Sequence, residues 1–314
     1  VHDAKVALLP KCNVGSRRQV LLAGTQQLDD RQLLMALVDE SPLELTLLVL
    51  PPSPDWAPWL EGVQRGQRSI SEAPDHILCE RDIIMASLEV SDHAVWYMAD
   101  ELWADREVVL AAISANADAL YKADVSFQSD PAVVSAAVQS NGFVLKYASE
   151  ELRADRNIVL SAVRQNGLAL EFASAGLRAD REVALAAVLQ CGGAFRHAAP
   201  GAQADREVAL EAVRRDGSML RHAPTELQSD HEVVLAAVRE NGFALQHAAE
   251  ELRSDKEIAL AAIEQSPLSL QHASNSLRAD RGLALSVIRR RQSAFFCLPK
   301  ELQADPELIA AAEQ

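Results

Sequence analysis

The sequence is poor in residues that break helices: glycine and proline number 13 each in 314 residues, and aromatic residues make up only 4%. Against abundant alanine and leucine, that scarcity favours helix over sheet. Cysteine is rarer still. Cys12, Cys79, Cys191 and Cys297 lie so far apart that no Cys-x-x-Cys and no zinc-type Cys/His cluster arises. The expected state is therefore unpaired structural thiols in a reducing, intracellular compartment. No apolar run reaches the ~18 residues of a membrane-spanning helix, which excludes a span and leaves peripheral association with a membrane complex open. The sequence opens at Val1 without a charged-then-apolar stretch, and since a targeting peptide can be removed, its start is silent about destination. Excess positive charge is missing as well. Thirty basic residues against 45 acidic ones give −15, the wrong sign for a general nucleic-acid binder, whose affinity comes from neutralising phosphates. Nucleophile and phosphate-loop motifs are absent, from Gly-x-Ser-x-Gly to His-Glu-x-x-His, and Gly192-Gly193 is the nearest approach to a glycine-rich loop. The expectation is a protein without catalysis, cofactor or metal.

What is present is self-similarity, with 49% hydrophobic residues to supply a core. LRADREVALAAV, AQADREVALEAV, LQSDHEVVLAAV and LRSDKEIALAAI recur in one register, anchored by an acid every 25 residues from Glu80 through Asp105, Asp130, Asp155, Asp180, Asp205, Asp230, Asp255 and Asp280 to Asp305. One period before Glu80 stands Asp55, and Ile70–Leu78 echoes Leu220–Gln228. Ten full repeats thus occupy 55–304, with a fragment over 305–314.

Each repeat reads as two short helices. The anchoring acid suits an N-cap, and Glu107, Glu182, Glu207, Glu232 and Glu257 follow where the helix dipole favours an anion. A wide apolar block such as Val233, Val234, Leu235, Ala237 and Val238 serves a helix flanked by copies of itself. Asn141-Gly142, Asn166-Gly167, Asp216-Gly217 and Asn241-Gly242 are expected to end this helix through a positive φ. A second helix carries Leu245 and Ala248, and Leu252 closes the repeat. Ala112, Ala137, Ala162, Ala187, Ala212, Ala237 and Ala262 fill one equivalent position, where a small side chain lets neighbouring helices approach closely. Units of this kind bury their faces only by stacking, so the fold class is mostly α, an α-solenoid of two-helix repeats.

The pattern D-R-E-V-V-L-A-A-V-x-x-N-G-x-A-L-x-x-A-x-x-x-L resembles the repeats of domain-of-unknown-function family 4116 over about four-fifths of the chain. The resemblance implies a helical repeat and brings no catalytic residue with it. Departures are Trp56 and Trp59 in the first repeat, Ser266-Pro267 in place of Asn-Gly, and Ser135 in the leucine column.

Residues 1–50 follow another pattern. Val1, Ala4 and Leu8 have helical spacing up to Pro10, while Gln19–Leu22 and Leu43–Leu50 read as strands. The whole segment resembles a ubiquitin-like domain through the spacing of Lys5, Leu8, Val14, Arg18, Gln19, Leu21, Gly24, Leu28, Asp29, Asp30, Leu33, Leu45 and Leu47. The resemblance implies a partial α+β module of the β-grasp class, opening at the helix without its leading hairpin. Its closing strand meets Pro51-Pro52-Ser53-Pro54, a stiff linker over 51–54, and no terminal Gly-Gly offers a conjugation site. Glu44 and Thr46 also replace the His and aliphatic residue of the usual recognition patch.

Candidate chemistry is thin. His197, His222, His247 and His272 form a ladder, but repeats ~8–10 Å apart cannot converge on an ion that needs nitrogens ~2 Å away. Tyr97, Lys122, Tyr147, Phe172 and Cys297 share the same column, as a half-buried structural position would allow. Arg81, Arg106, Arg156, Arg181, Arg206, Lys256 and Arg281 follow the caps, and Arg153, Arg178, Arg253 and Arg278 precede them. Because acids alternate with them, inter-repeat ion pairing is preferred to a charged binding stripe. The aromatic residues show no interleaving with uncompensated basic ones.

The function expected is a non-catalytic scaffold binding other proteins over an extended surface. The alternative is a permanent peripheral subunit of a large assembly, and a weaker one is a ubiquitin-pathway adaptor. Candidate partner-binding residues are Trp56 and Trp59 at one end of the array, with Phe295, Phe296, Leu308 and Ile309 at the other, where no following helix pair covers them. If the alanine column is a packing column, Ala187→Leu and Ala237→Leu should each lower stability by ~1–3 kcal/mol in thermal melts, whereas Arg239→Leu should change little.

Overall fold

The computed structural model describes residues 19–23, 26–27, 45–49 and 52–313, with side chains from residue 52 onward except at 293. The helix expected over Val1–Pro10 lies outside these residues, as do most positions that carry the ubiquitin-like resemblance. Strand β1 (Gln19–Ala23) pairs antiparallel with β2 (Gln26–Gln27) and with β3 (Leu45–Val49), in the order β2-β1-β3. Leu21 faces Leu47 and Leu22 faces Thr46 across the ladder. Strands β1 and β3 stand where apolar alternation predicts them, and β2 is an addition. Together they make a small antiparallel sheet, which by itself is short of a β-grasp module.

The described residues from 52 onward are mainly helical, and the chain divides into two compact units, Val1–Ser149 and Glu150–Gln314. Among the described residues no helix is long and apolar enough to cross a membrane. Within the C-terminal unit every repeat has the same parts. Helix Arg206–Arg215, 3-10 turn Gly217–His222 and short helix Thr225–Gln228 make up one repeat. His231–Glu240, Gly242–His247 and Glu250–Arg253 make up the next. Within the N-terminal unit the register is the same, as in Arg106–Ala115, Ala117–Tyr121 and Val125–Gln128. The degenerate repeat from Asp55 follows it with Trp56–Gln64, Ile70–Glu72 and Asp75–Leu78.

The second helix expected in each repeat is therefore split in two, and a cross-repeat bond accounts for the split. Ala248 and Ala249 lie between the 3-10 turn and the short helix with extended backbone. That leaves the Ala249 N–H free to donate to the Gln228 carbonyl of the previous repeat at 3.0 Å. Ser174, Ala199 and Ser274 make the same bond to Arg153, Arg178 and Arg253, each at 2.9 Å. A continuous helix would consume these donors internally.

Burial follows the columns. Val208, Val213, Val233, Val238, Leu220 and Leu245 are fully buried, and the whole alanine column from Ala112 to Ala262 is at 0% exposure. Successive long helices in each unit thus stack on one another through small and β-branched side chains, the packing of an α-solenoid.

The Asn-Gly positions are corrected. Asn166, Asp216 and Asn241 have φ of −146°, −150° and −140°, which is extended backbone. The asparagine starts the next element: Asn241 Oδ1 accepts the Phe243 N–H at 3.0 Å, and Asn166 and Asp216 act likewise. Among the described residues the glycine with positive φ is Gly66, at 66°. At Gly167, Gly217 and Gly242 glycine meets a different need. A Cβ on Gly167 or Gly217 would lie 2.3 Å from the carbonyl oxygen of Ala187 or Ala237, and one on Gly242 would lie 2.4 Å from that of Ala262. The glycine of one repeat and the alanine column of the next are two sides of one close contact. Gly217→Ala should therefore destabilise by ~1–3 kcal/mol. Gly201→Ala, in an open helical site with no atom within 4 Å, should be neutral or stabilising by up to about 1 kcal/mol. Paired denaturant titrations would check both.

Candidate functional site

The long helix begins at the anchoring aspartate, whose two oxygens have separate tasks. Asp205 Oδ1 accepts the backbone N–H groups of Glu207 and Val208, both at 3.0 Å. Its Oδ2 accepts Arg181 Nε from the preceding repeat at 2.9 Å, while the far end of the same guanidinium reaches Glu207. Arg206 repeats the arrangement, with 2.8 Å to Asp230 Oδ2 and 2.7 Å to Glu232. Arg281 does so at 2.7 Å to Asp305. In the N-terminal unit Arg81 bonds Asp105 at 3.0 Å with both side chains almost wholly covered, and Arg106 bonds Asp130. The forks of Arg81, Arg156, Arg181, Arg206 and Arg281 each reach both acids of the next repeat, a geometry suited to guanidinium. Arg106 meets Asp130 alone, because Ala132 stands in place of the second acid. Pro131 stands in the arginine position of one repeat, and Asp55 and Glu80 make no side-chain cap bond.

These contacts resolve the charged ladders as inter-repeat pairing. Exposed pairs contribute ~0–1 kcal/mol each, so their effect is mainly to set register. The hydrogen bond from Arg206 holds the Asp230 carboxyl below the usual carboxylate range, and Arg281 and Lys256 do the same for Asp305 and Asp280. The third basic row differs from a solvated stripe. Its position is held elsewhere by Gln203 and Gln228, whose Nε2 donates to the Phe195 carbonyl at 3.1 Å and to the Ala223 carbonyl at 3.0 Å, at the end of the 3-10 turn. Arg153, Arg178 and Arg253 sit there half-buried, each with an Nε shielded from solvent and lacking a hydrogen-bond partner.

The histidine ladder closes the 3-10 turns of the C-terminal unit, half-buried as the column predicts. Arg196 Nε donates to His197 Nε2 and Arg221 Nε to His222 Nε2, both at 2.9 Å, so Nε2 of these two rings is engaged within the protein. Among the described residues no three His, Cys, Asp or Glu side chains converge as a metal site. Burial pushes His197, His222, His247 and His272 below the usual imidazole range, and neighbouring Arg196, Arg221 and Arg253 add to the shift at His222, His247 and His272.

The residues expected at the ends of the array are placed unequally. Trp59 is buried with the Arg68 guanidinium 4.6 Å above its ring, and Trp56 is half-buried. Leu308 is fully buried in the packing of its own helix, so it offers no contact surface. Phe295 is half-buried, Phe296 is 80% exposed, and Ile309 is also exposed. A groove of about 400 Å³ lies beside the last helix, lined by Leu285, Ile288, Arg289, Gln292, Glu307 and Ala310.

One feature escaped the sequence reading. Trp96, Tyr97 and Tyr121 are exposed in the N-terminal unit, and Lys122 and Lys146 lie against aromatic rings there. The signal was present as Trp96-Tyr97, Tyr121-Lys122 and Lys146-Tyr147 at the same place in three successive repeats. An overall aromatic count hides it.

The pH dependence follows from two lowered sets. Unfolded histidines bind protons more readily than the buried ones, so this stability is complete above ~6.5 and is lost as pH falls through the depressed folded values. Asp230, Asp280 and Asp305 behave alike below ~3.9, the ordinary carboxyl value. Chemical denaturation against pH should therefore show an early loss of stability below ~6.5 and a second, acid loss. His222→Phe, in a column that already holds Phe172, should reduce the early loss by one histidine's share and leave the second. Asp230→Ala should cost roughly 0.5–2 kcal/mol at neutral pH.

Comparison with curated proteins and comparison with solved structures each returned no match. The family described as Domain of unknown function (DUF4116) matches residues 105–153, 155–200, 205–253, 232–278 and 255–303, in step with the caps at Asp105, Asp155, Asp205 and Asp255. With successive copies of that unit over most of its length, the chain belongs to the DUF4116 family.

Proposed function

We propose that this protein is a non-catalytic scaffold that binds other proteins through the outward positions of its repeats. One observation carries the reading. The charged groups that could do chemistry are largely spent on holding repeats together, the capping carboxylate in most repeats serving its own helix with one oxygen and a basic residue of the preceding repeat with the other. What remains exposed recurs in rows along each unit, the arrangement by which repeat proteins engage extended partners. On this reading the protein needs no cofactor or metal and does not bind nucleic acid.

Exposed Phe296 and Ile309 favour the second reading, a permanent peripheral subunit of a larger assembly. For residues 1–50 we carry forward the ubiquitin-like assignment on the spacing of Lys5, Leu21, Leu28 and Leu45, with an adaptor role as its functional consequence.

Purification decides between the first two. A scaffold should be obtained alone as a folded monomer by light scattering, and affinity capture with mass spectrometry should return partners at variable stoichiometry. Recovery solely within one assembly of fixed composition would support the subunit reading. A purified chain that turns over a substrate would refute both.

A further inference from the structure

The aromatic strip of the N-terminal unit is built from the ends of three successive 3-10 turns, Asp92–Tyr97, Ala117–Tyr121 and Gly142–Tyr147. Trp96 is 43% exposed, Tyr97 41% and Tyr121 61%, and Val125 beside them is 72% exposed. Ring contacts join the repeats. Lys122 Nζ lies 5.7 Å from the Trp96 ring centre, and Tyr121 packs on Tyr147 at 5.2 Å. Lys146 Nζ lies 4.6 Å from the Tyr147 ring and 5.3 Å from that of Phe143. Tyr97 also lines a groove of about 560 Å³ with Val63, Arg68, Ile70, Val90 and His93.

Two properties set this strip apart from the cap ladder. It presents aromatic side chains at the same place in three successive repeats, and exposed Trp and Tyr of this kind anchor interfaces. Its two ammonium groups have no acidic partner among the described residues, whereas Arg181 and Arg206 of the ladder reach two acids each.

The chemistry narrows the occupant. A cationic ligand would seek open ring faces, but here the protein's own ammonium groups already lie over them and would repel it. Single-stranded nucleic acid would need bases stacked on open rings. Tyr121 and Tyr147 are too close to admit a base, and two lysines in a chain of −15 neutralise few phosphates. A peptide whose carboxylates meet the two ammonium groups while its apolar side chains lie along the rings satisfies both properties.

We propose that Trp96, Tyr97, Tyr121, Lys122, Lys146 and Tyr147 form a docking strip for an extended peptide segment of a partner protein, one that alternates acidic and apolar residues. The inference rests on the scaffold reading and gives it a partner chemistry.

The test is selection of phage-displayed random dodecapeptides on the purified full chain, followed by fluorescence anisotropy with the synthesised winners. Peptides interleaving Asp or Glu with Leu, Phe or Trp should be enriched. Binding should weaken at least tenfold in Lys122→Glu/Lys146→Glu and in Trp96→Ala, with circular dichroism unchanged because these side chains are exposed. Repeating the selection on the charge-reversed chain should turn the preference to Lys- and Arg-containing peptides. Lys122→Gln/Lys146→Gln, which removes charge without inverting it, should give an intermediate loss. Winners without acidic bias, equal affinity for all variants, or tighter binding of oligo-dT than of any peptide would overturn the strip. If capture of partner proteins persists in the charge-reversed chain, the scaffold reading stands and the strip alone fails.

Discussion

Most of this architecture depends on a single carboxylate performing two tasks. The capping aspartate starts a helix by accepting orphan N–H groups, and the same group receives the arginine of the repeat before it. Local and cross-repeat structure therefore meet at one group, and a repeat cannot slip along its neighbour without parting that arginine from the cap. Other contacts fall into place behind that link. The glycine beside the alanine column and the backbone bond that splits the second helical segment both need the spacing it imposes.

The repeat, its period, its caps and its buried columns were legible because each recurs, and recurrence turns a weak local signal into a strong one. The arginine ladder was legible as pairing from the alternation of charges. The conformation at Asn-Gly was not. The same dipeptide serves a left-handed turn and a close approach, and only the position of the Ala237 or Ala262 carbonyl decides which. Nor was the three-part repeat legible, since the break at Ala248 and Ala249 is caused by the carbonyl of Gln228 in another repeat. Leu308 was misread because an apolar residue in the final fragment looks unpartnered until it is seen to fill the valine column.

The candidate site was the least legible part, for a physical reason. Packing constrains what faces inward, so inward positions repeat, while the ends of the 3-10 turns point outward and are constrained little. Those ends hold Trp, Tyr and Lys in the N-terminal unit, and His beside Arg or Gln in the C-terminal one. Variation on an otherwise uniform frame is where recognition resides in repeat proteins. It is also where averaging over repeats erases information.

The fixed period has a consequence for how the chain reaches its fold. The cross-repeat bonds of the caps, glycines and arginines join residues 23 to 26 apart in sequence. No such contact waits for a distant strand or a large loop to close, so loop-closure entropy stays small at every step. A chain of this kind has low contact order and acquires structure by adding one repeat to the last. Each repeat can dock as it leaves the ribosome, and the C-terminal repeats are not needed for those before them to become ordered.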